Sequence, residues 1–229
     1  MPSSPDTSLS RRERERQMRR RAMLDAARTV FAEKGYADAT LDEIAERAEF
    51  GKGTLYNYFE GGKEELLFAV FDDIYQEIED LIRTVFQDEL DGDASLRDAF
   101  HTFAVRHFEI IRDQQDLFLV LVKEAYRLGL SDDENRVEFF QKQHDRLVDA
   151  LRPALEKAVE RGEVQSFPVS SIADMLLSNV RGMGVHCTME KRICPDEDSI
   201  LDRPEDAADF LTTFLFDGLQ SNGHPDSSA

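Results

Sequence analysis

Apolar residues recur at helical spacing along most of the chain, and the strict alternation of a half-buried strand occurs nowhere in the sequence. After residue 63 the pattern consists of long amphipathic stripes, in which apolar side chains return every three or four residues. These stripes cover residues 67–85, 96–111, 117–128, 137–159, 169–189 and 204–219. Together with a shorter N-terminal pattern they predict an all-α protein of about nine helices.

The N-terminal pattern predicts three shorter helices. The first runs from the arginine-rich segment to Gly35, which stops it. Thr40 has the position of an N-cap, and Glu43 three residues later completes a capping box for the second helix. Residues 49–51 form a turn, and a third helix covers about 52–59. Two short helices joined by a tight turn are typical of a helix-turn-helix, which places side chains against DNA base edges.

The distribution of charge supports this interpretation despite an acidic total. The chain has 47 Asp and Glu against 28 Lys and Arg, a net charge of −19, and phosphate repels acidic proteins. Residues 1–63 hold 12 basic and 11 acidic residues, a net of +1, whereas residues 64–229 hold 16 and 36, a net of −20. Seven arginines lie within Arg11–Arg21. Positive charge therefore lies beside the predicted DNA-reading segment.

Two explanations of the acidic remainder stay open. One is an ordinary acidic protein. The other is adaptation to a salt-rich cytoplasm, because many carboxylates with only 7 lysines favour a surface that stays hydrated in salt. In that case counterion release adds little to DNA affinity, and contacts to base edges supply more of it.

Composition excludes several other classes. The sequence has no run of about 18 apolar residues for a membrane span and no apolar run after the N-terminal arginines for a signal peptide. Its two cysteines, Cys187 and Cys194, are too few for a disulfide scaffold. No nucleophile elbow, phosphate loop or paired-carboxylate signature indicates an enzyme. We therefore expect a cytoplasmic, non-enzymatic protein without membrane contact, cofactor or metal.

The segment Ala22–Phe59, AMLDAARTVFAEKGYADATLDEIAERAEFGKGTLYNYF, strongly resembles the DNA-binding domain of the tetracycline-repressor (TetR) family. The A-x-K-G-Y, I-A-x-x-A and G-T-L-Y-x-Y-F patterns occur together and in order. Later helices agree with that family in number, length and order. The resemblance implies a homodimeric transcriptional regulator, usually a repressor, that binds a palindromic operator and is released by a small hydrophobic or amphipathic effector.

The domain organisation predicted from this resemblance has three parts. Residues 1–17 form a disordered basic tail, residues 18–62 a three-helix DNA-binding domain, and residues 63–229 a larger helical bundle for ligand binding and dimerisation.

The resemblance also assigns DNA contacts by position. Thr40 would meet a phosphate at the start of helix two, and Tyr58 and Lys63 resemble further phosphate contacts. The arginine run adds Arg19 and Arg20 to the predicted interface. Helix three would present five residues to the major groove: Lys52, Gly53, Thr54, Tyr56 and Asn57.

The chemistry of helix three suits base reading independently of the resemblance. Gly53 allows the backbone to approach closely, and the methyl group of Thr54 suits a thymine methyl. Asn57 can pair bidentately with adenine, and Lys52 can reach guanine O6 and N7. Leu55 resembles a core residue, as does Phe59, and both would hold the helix in place.

Three positions depart from the family pattern. Glu49 replaces a glycine that often adopts positive φ, so we expect a strained or altered turn. Gly51 replaces a serine N-cap, which costs the helix only a little stability. One extra residue separates Phe59 from Lys63, and the pair Gly61–Gly62 would absorb it.

The effector site is predicted from aromatic and polar residues on the apolar stripes. The candidates are Phe103, His107, Phe108, Tyr126, Phe140, His144, Asn179 and Met183. Ordinary core packing is the alternative for each. His107 and His144 are favoured, because a buried imidazole needs a partner.

The dimer interface is predicted on the helices over 169–189 and from Pro204, as a four-helix arrangement across a two-fold axis. Small and apolar residues would form it: Ser178, Gly182, Phe210, Phe214 and Leu215. Packing of these helices within one chain is the alternative.

Two other functions stay open. The altered turn and acidic surface are compatible with a helical adaptor that keeps the motif without operator affinity. Cys187, Cys194 and His186 could form a thiol or metal sensor, although their spacing matches no zinc pattern.

Overall fold

The computed structural model describes residues 10–87, 94–193 and 202–218, and all regular structure in these ranges is helical. Nine α-helices follow one another within them: α1 Arg11–Asp38, α2 Leu41–Arg47, α3 Lys52–Tyr56, α4 Gly62–Ile82, α5 Leu96–Asp113, α6 Gln115–Gly129, α7 Glu134–Glu160, α8 Val169–Ile193 and α9 Pro204–Phe216. A π-helical turn, Arg83–Gln87, continues α4. The predicted all-α fold class is confirmed. Among the described helices, none is both long enough and apolar enough to cross a membrane.

The described residues divide into two compact units. The first unit comprises those up to Ile74 together with Asp116–Tyr126, and the second comprises Tyr75–Gln115 and those from Arg127 onward. The first unit therefore extends beyond the predicted boundary at residue 62. The reason is that the first half of α4 is itself core-forming, with Leu66 and Leu67 fully buried.

Helix α1 begins at Arg11, which corrects the prediction of a disordered tail over residues 1–17. Ser10 forms a capping box with Glu13: the backbone N–H of Glu13 donates to Ser10 Oγ (3.3 Å), and that of Ser10 donates to Glu13 Oε2 (2.8 Å). An ion pair between Arg11 and Glu15 (2.9 Å) supports the first turn. This local signal outweighs the polar composition that suggested disorder. Residues 1–9 lie outside the described residues.

The first unit is held by a continuous apolar core and by charged contacts between α1 and α4. Asp73 of α4 accepts hydrogen bonds from Arg21 (3.0 Å) and Arg28 (2.6 Å) of α1. The core contains side chains from four helices and from the segment after α3: Met23, Leu24, Ala27, Val30, Phe31, Ile44, Leu55, Phe59, Leu66, Leu67 and Val70. Positive φ at Gly35 (76°) interrupts α1 where the sequence predicted its end.

The second unit is organised around α5, whose Phe100, Phe103 and Phe108 are buried. Helix α9 packs against α5, and α8 packs against α7. Polar contacts tie α9 to α5 at two levels. His101 Nε2 lies 2.9 Å from Asp209 Oδ1, and Arg97 Nη2 donates to Asp217 Oδ2 at 2.9 Å.

The imidazole of His107 is the least satisfied polar group of α5. Its Nδ1 is buried without a hydrogen-bond partner, and its ring lies 5.6 Å from that of Phe103 and 6.5 Å from that of Phe108. Burial lowers the pKa of His107 to about 4. Between about pH 4 and 6.5 this imidazole is therefore neutral in the folded protein, whereas in an unfolded chain it would be protonated.

We expect His107 to make stability depend on pH. In the unfolded state the imidazole binds a proton below about pH 6.5, whereas in the folded state it does so only near pH 4. The stability that depends on neutral His107 is therefore fully present above pH 6.5 and is lost as the pH falls from 6.5 to 4. His107→Phe should remove up to about 3 kcal/mol of this loss, measured by urea unfolding from pH 7 to 4. The matched control is His144→Gln, because that imidazole is half exposed and faces Asp174. If both variants reduced the pH dependence of the unfolding free energy equally, the effect could not be assigned to His107.

Candidate nucleic-acid interface

Helix α2 begins with the predicted capping box. The backbone N–H of Glu43 donates to Thr40 Oγ1 (3.3 Å), and the N–H of Thr40 donates to Glu43 Oε2 (3.1 Å). Hydrogen bonds from Lys34 and Thr40 lower the pKa of Glu43, which keeps the capping carboxylate ionised. Thr40 is exposed at this helix start, so its position suits the phosphate contact predicted for it.

The turn between α2 and α3 contains a left-handed residue at Glu49. Its φ is 59°, and it is the one non-glycine residue of the described ranges with positive φ. The backbone N–H of Phe50 then donates to the carbonyl of Ala45 (2.9 Å), so the turn closes in the shape that glycine usually supplies. Glutamate adopts the glycine conformation here and carries its strain.

Helix α3 is a single short segment that depends on its surroundings. It ends at Tyr56, three residues earlier than predicted, because Asn57 closes the last turn by donating to Gly53 and Thr54 carbonyls. The N–H of Phe59 still bonds to the carbonyl of Leu55 at 3.0 Å. Leu55 and Phe59 are at most 1 % exposed, which confirms them as core residues. They fix which face of α3 points outward.

The outward face of α3 carries polar side chains that have no partner among the described residues. Within the described ranges, the side chains of Thr54 and Asn57 hydrogen-bond to no other residue. Tyr56 is 40 % exposed. A Cβ atom added to Gly53 would meet nothing within 4 Å, and its φ is not positive. Neither packing nor backbone conformation among the described residues therefore requires glycine at this position.

Lys52 at the start of α3 has a partner within the unit. Its ammonium group lies 2.7 Å from Asp42 Oδ1 of α2, and this contact raises its pKa. A guanine contact by Lys52 would compete with Asp42. The sequence did not predict this pair, because ten residues and a turn separate its members.

Lys63 has a structural role that the sequence did not predict. Its ammonium group donates to the carbonyls of Tyr36 (2.8 Å), Ala37 (3.0 Å) and Ala39 (2.8 Å), and it lies 4.7 Å from the Tyr36 ring centroid. All three hydrogens are thus engaged at the C-terminal end of α1, where a cation is favoured. A phosphate contact from this ammonium group would require one of these bonds to open. Gly62, at φ 73°, directs the chain into α4 just before it.

Two arginines of α1 lie against the end of the α3 segment. The guanidinium of Arg16 is 5.8 Å from the Tyr58 ring centroid, and that of Arg20 is 5.7 Å from the Phe59 ring. Arg19 and Arg20 are exposed, as the predicted DNA contacts require. Arg16 was not among the predicted contacts, although its spacing of four from Arg20 places both on one helix face.

The predicted effector residues occupy several separate environments. Phe103, His107 and Phe108 cluster on α5. His144 is half exposed and pairs with Asp174 (2.8 Å) instead of being buried, and Tyr126 is 59 % exposed and belongs to the first unit. The remaining candidates are partly buried: Phe140 lies against Phe139, the Asn179 side chain bonds to the carbonyl of Met175, and Met183 lies on α8.

The predicted dimer residues are accessible in the single chain. Ser178 and Gly182 lie on an exposed face of α8. Phe210 is 54 % and Phe214 40 % exposed, and their rings stack in parallel at 6.3 Å. Leu215 is partly covered. This face of α9 therefore exposes two large aromatic rings to solvent in the single chain, which is unfavourable unless another surface covers them.

The candidate thiol sensor has little support within the described residues. Cys187 is buried, and burial raises the pKa of its thiol to about 11, so the reactive thiolate is suppressed. Cys194 lies outside the described residues. His186 is exposed on α8.

The geometry defines a helix-turn-helix DNA-binding domain, and comparison with known proteins gives its family. The family of bacterial regulatory proteins described as tetR matches residues 23–70. The chain therefore carries the DNA-binding domain of the tetR family, and it is a DNA-binding transcriptional regulator. The predicted resemblance is confirmed.

Relatives and solved structures are similar beyond this domain. The HTH-type transcriptional regulator YfiR of Bacillus subtilis is 27 % identical over 161 residues, which cover 70 % of this chain and 75 % of that protein. The HTH-type transcriptional repressor KstR2 of Mycobacterium tuberculosis is 26 % identical over 147 residues, 64 % and 71 % of the two chains. The transcriptional regulator FadR from Bacillus subtilis in complex with stearoyl-CoA has the same fold, with a TM-score of 0.68, 18 % identity and coverage of 87 % and 99 %.

Strain at Glu49 gives a testable consequence. Glu49→Gly should raise the free energy of unfolding by about 1 kcal/mol, because glycine adopts positive φ without the steric penalty of a Cβ atom. Thermal or urea unfolding would measure the change. Glu46→Gly is the matched control: Glu46 is equally exposed but helical, so the same substitution should destabilise by up to about 1 kcal/mol. Destabilisation by both substitutions would refute strain at Glu49.

Proposed function

We propose that this regulator is a homodimeric repressor that binds a palindromic operator and is released by a small amphipathic effector. The observation that carries the proposal is the outward face of α3. Among the described residues the side chains of Thr54 and Asn57 have no hydrogen-bond partner, while Leu55 and Phe59 are buried on the inner side of the segment. Such a face suits direct reading of base edges.

The proposed dimer uses the exposed faces of α8 and α9. On α9, Phe210 and Phe214 expose large apolar rings. On α8, small residues at Ser178 and Gly182 are flanked by exposed apolar ones, Met175 (59 %), Met189 (44 %) and Ile193 (73 %). Two such helices from each protomer would bury these groups across a two-fold axis. A two-fold dimer presents two copies of α3, and the matching DNA is a palindrome with half-sites about one helical turn apart.

Operator binding can be separated from folding at Gly53. Selection of random duplexes should enrich a palindrome, and Gly53→Ala should weaken its binding at least tenfold, because a methyl group obstructs the backbone approach. The same change should leave stability unchanged or raise it by up to about 1 kcal/mol, because alanine favours the helix. Fluorescence anisotropy and urea unfolding would measure the two effects.

Two further variants and the oligomeric state complete this experiment. Thr54→Ala and Tyr56→Ala should abolish operator binding, while sedimentation shows an unchanged dimer. Normal binding by all three variants would refute the assignment of α3. Failure of the wild type to enrich any palindrome at low or high salt would favour the helical adaptor instead.

For the effector we propose a long-chain acyl thioester. The support is similarity: the solved FadR from Bacillus subtilis, whose fold matches over 87 % of this chain, is a complex with stearoyl-CoA. An acyl chain also agrees with the hydrophobic or amphipathic effector that the family resemblance implies.

Release of the operator by an acyl thioester is directly measurable. Stearoyl-CoA at micromolar concentration should raise the operator Kd by roughly tenfold or more, within the usual range of allosteric coupling. Free coenzyme A and free stearate are the matched controls, each supplying half of the molecule, and neither should reach this effect. An unchanged Kd with stearoyl-CoA would refute the effector class while leaving operator binding intact.

A further inference from the structure

The first turns of α1 carry two arginine faces with different surroundings. At 3.6 residues per turn, one face gathers four arginines within an arc of about 100°. We call this face the arginine ridge: Arg12, Arg16, Arg19 and Arg20. The opposite side of the same helix carries Arg11, Arg14 and Arg21.

The two faces differ in how their charge is used. On the opposite side, Arg11 pairs with Glu15 (2.9 Å), and Arg21 pairs with Asp25 (3.0 Å) and Asp73 (3.0 Å). Arg14 is the one arginine of that side without such a contact among the described residues. The four ridge arginines are exposed, and within the described part of the chain none of them forms an ion pair or a hydrogen bond through its side chain. In a chain with net charge −19, four neighbouring unneutralised cations are a feature that folding alone does not require.

The ridge is continuous with the DNA-reading segment. Arg16 lies over the ring of Tyr58, and Arg20 lies over that of Phe59, directly after α3. These ring contacts orient the guanidinium groups while leaving their N–H donors available. From Arg12 to Arg20 the helix rises about 12 Å. One DNA strand carries a phosphate for every 3.4 Å or so of axis, so the ridge is long enough to reach several consecutive phosphates.

We propose that the arginine ridge is a second DNA contact, which grips the sugar–phosphate backbone beside the half-site that α3 reads. The inference rests on the proposed operator binding and adds to it the source of sequence-independent affinity. Phosphate contacts position a protein on the duplex, whereas base contacts specify the sequence. Residues 64–229, with a net charge of −20, repel DNA, and the ridge supplies the compensating attraction.

The experiment compares two double variants that remove the same charge from the same turns of one helix. Arg12→Gln with Arg16→Gln removes half of the ridge, and Arg11→Gln with Arg14→Gln removes two arginines from the opposite side. Glutamine is nearly as good a helix former as arginine, and circular dichroism would check helicity. Operator binding is measured by fluorescence anisotropy over a fourfold range of KCl.

The ridge variant should weaken operator binding at least tenfold. The slope of log K against log[KCl] should become less steep by about 3 to 4, because a dimer loses four phosphate contacts. Its preference for the operator over a scrambled duplex should stay unchanged. The opposite-face variant should lose less than about threefold. A third variant, Arg19→Gln with Arg20→Gln, lies deeper in α1. It should show the same loss of operator affinity, which would exclude unwinding of the first turns as the cause.

Several outcomes would overturn the inference. Equal losses in both double variants would mean that only net charge matters, and wild-type affinity in the ridge variants would mean that the ridge does not touch DNA. Selective loss of binding to vesicles containing phosphatidylserine, with operator affinity intact, would assign the ridge to a lipid surface. A wild-type protein that selects no duplex refutes the proposed function itself, and with it the ridge.

Discussion

The burial of Leu55 and Phe59 is the constraint on which the candidate DNA-reading surface depends. A helix of five residues, as α3 is, has no stability of its own in water, because nucleation costs more than so few hydrogen bonds return. Its conformation is set by these two buried side chains and by the turn that precedes it. The same burial leaves Thr54, Tyr56 and Asn57 on the outside. The same two buried side chains therefore both stabilise the segment and orient its outward side chains.

Helix α4 contributes charged contacts that hold α1 in place. Lys63 closes the C-terminal carbonyls of α1, and Asp73 holds Arg21 and Arg28. Both sets of contacts use charged groups to join α1 to the first half of α4. This explains why the first compact unit continues to Ile74. These paired charges differ from those on the arginine ridge, which form no ion pair with any described residue.

The molecule reconciles an acidic chain with DNA binding by segregating charge. Acidic residues outnumber basic ones strongly after residue 63, and a uniform distribution of this charge would oppose approach to phosphate. Concentrating arginines in the first turns of α1 and leaving one of their faces unpaired keeps a cationic surface beside α3. Within the motif, by contrast, Lys52 is paired with Asp42.

Local chemistry in the sequence was enough to predict the helices, the capping box at Thr40, the core roles of Leu55 and Phe59, and the unusual turn at Glu49. Each of these depends on residues within a few positions of one another, where spacing and backbone preference act directly. The partners of Lys52, Lys63 and the ridge arginines depend on which distant elements meet in space. The same holds for the orphaned Nδ1 of His107 and the exposure of His144, since helical periodicity shows that a side chain faces inward or outward but not what it faces. The first turns of α1 show the reverse case, because a capping box at Ser10 was already in the sequence and polar composition concealed it.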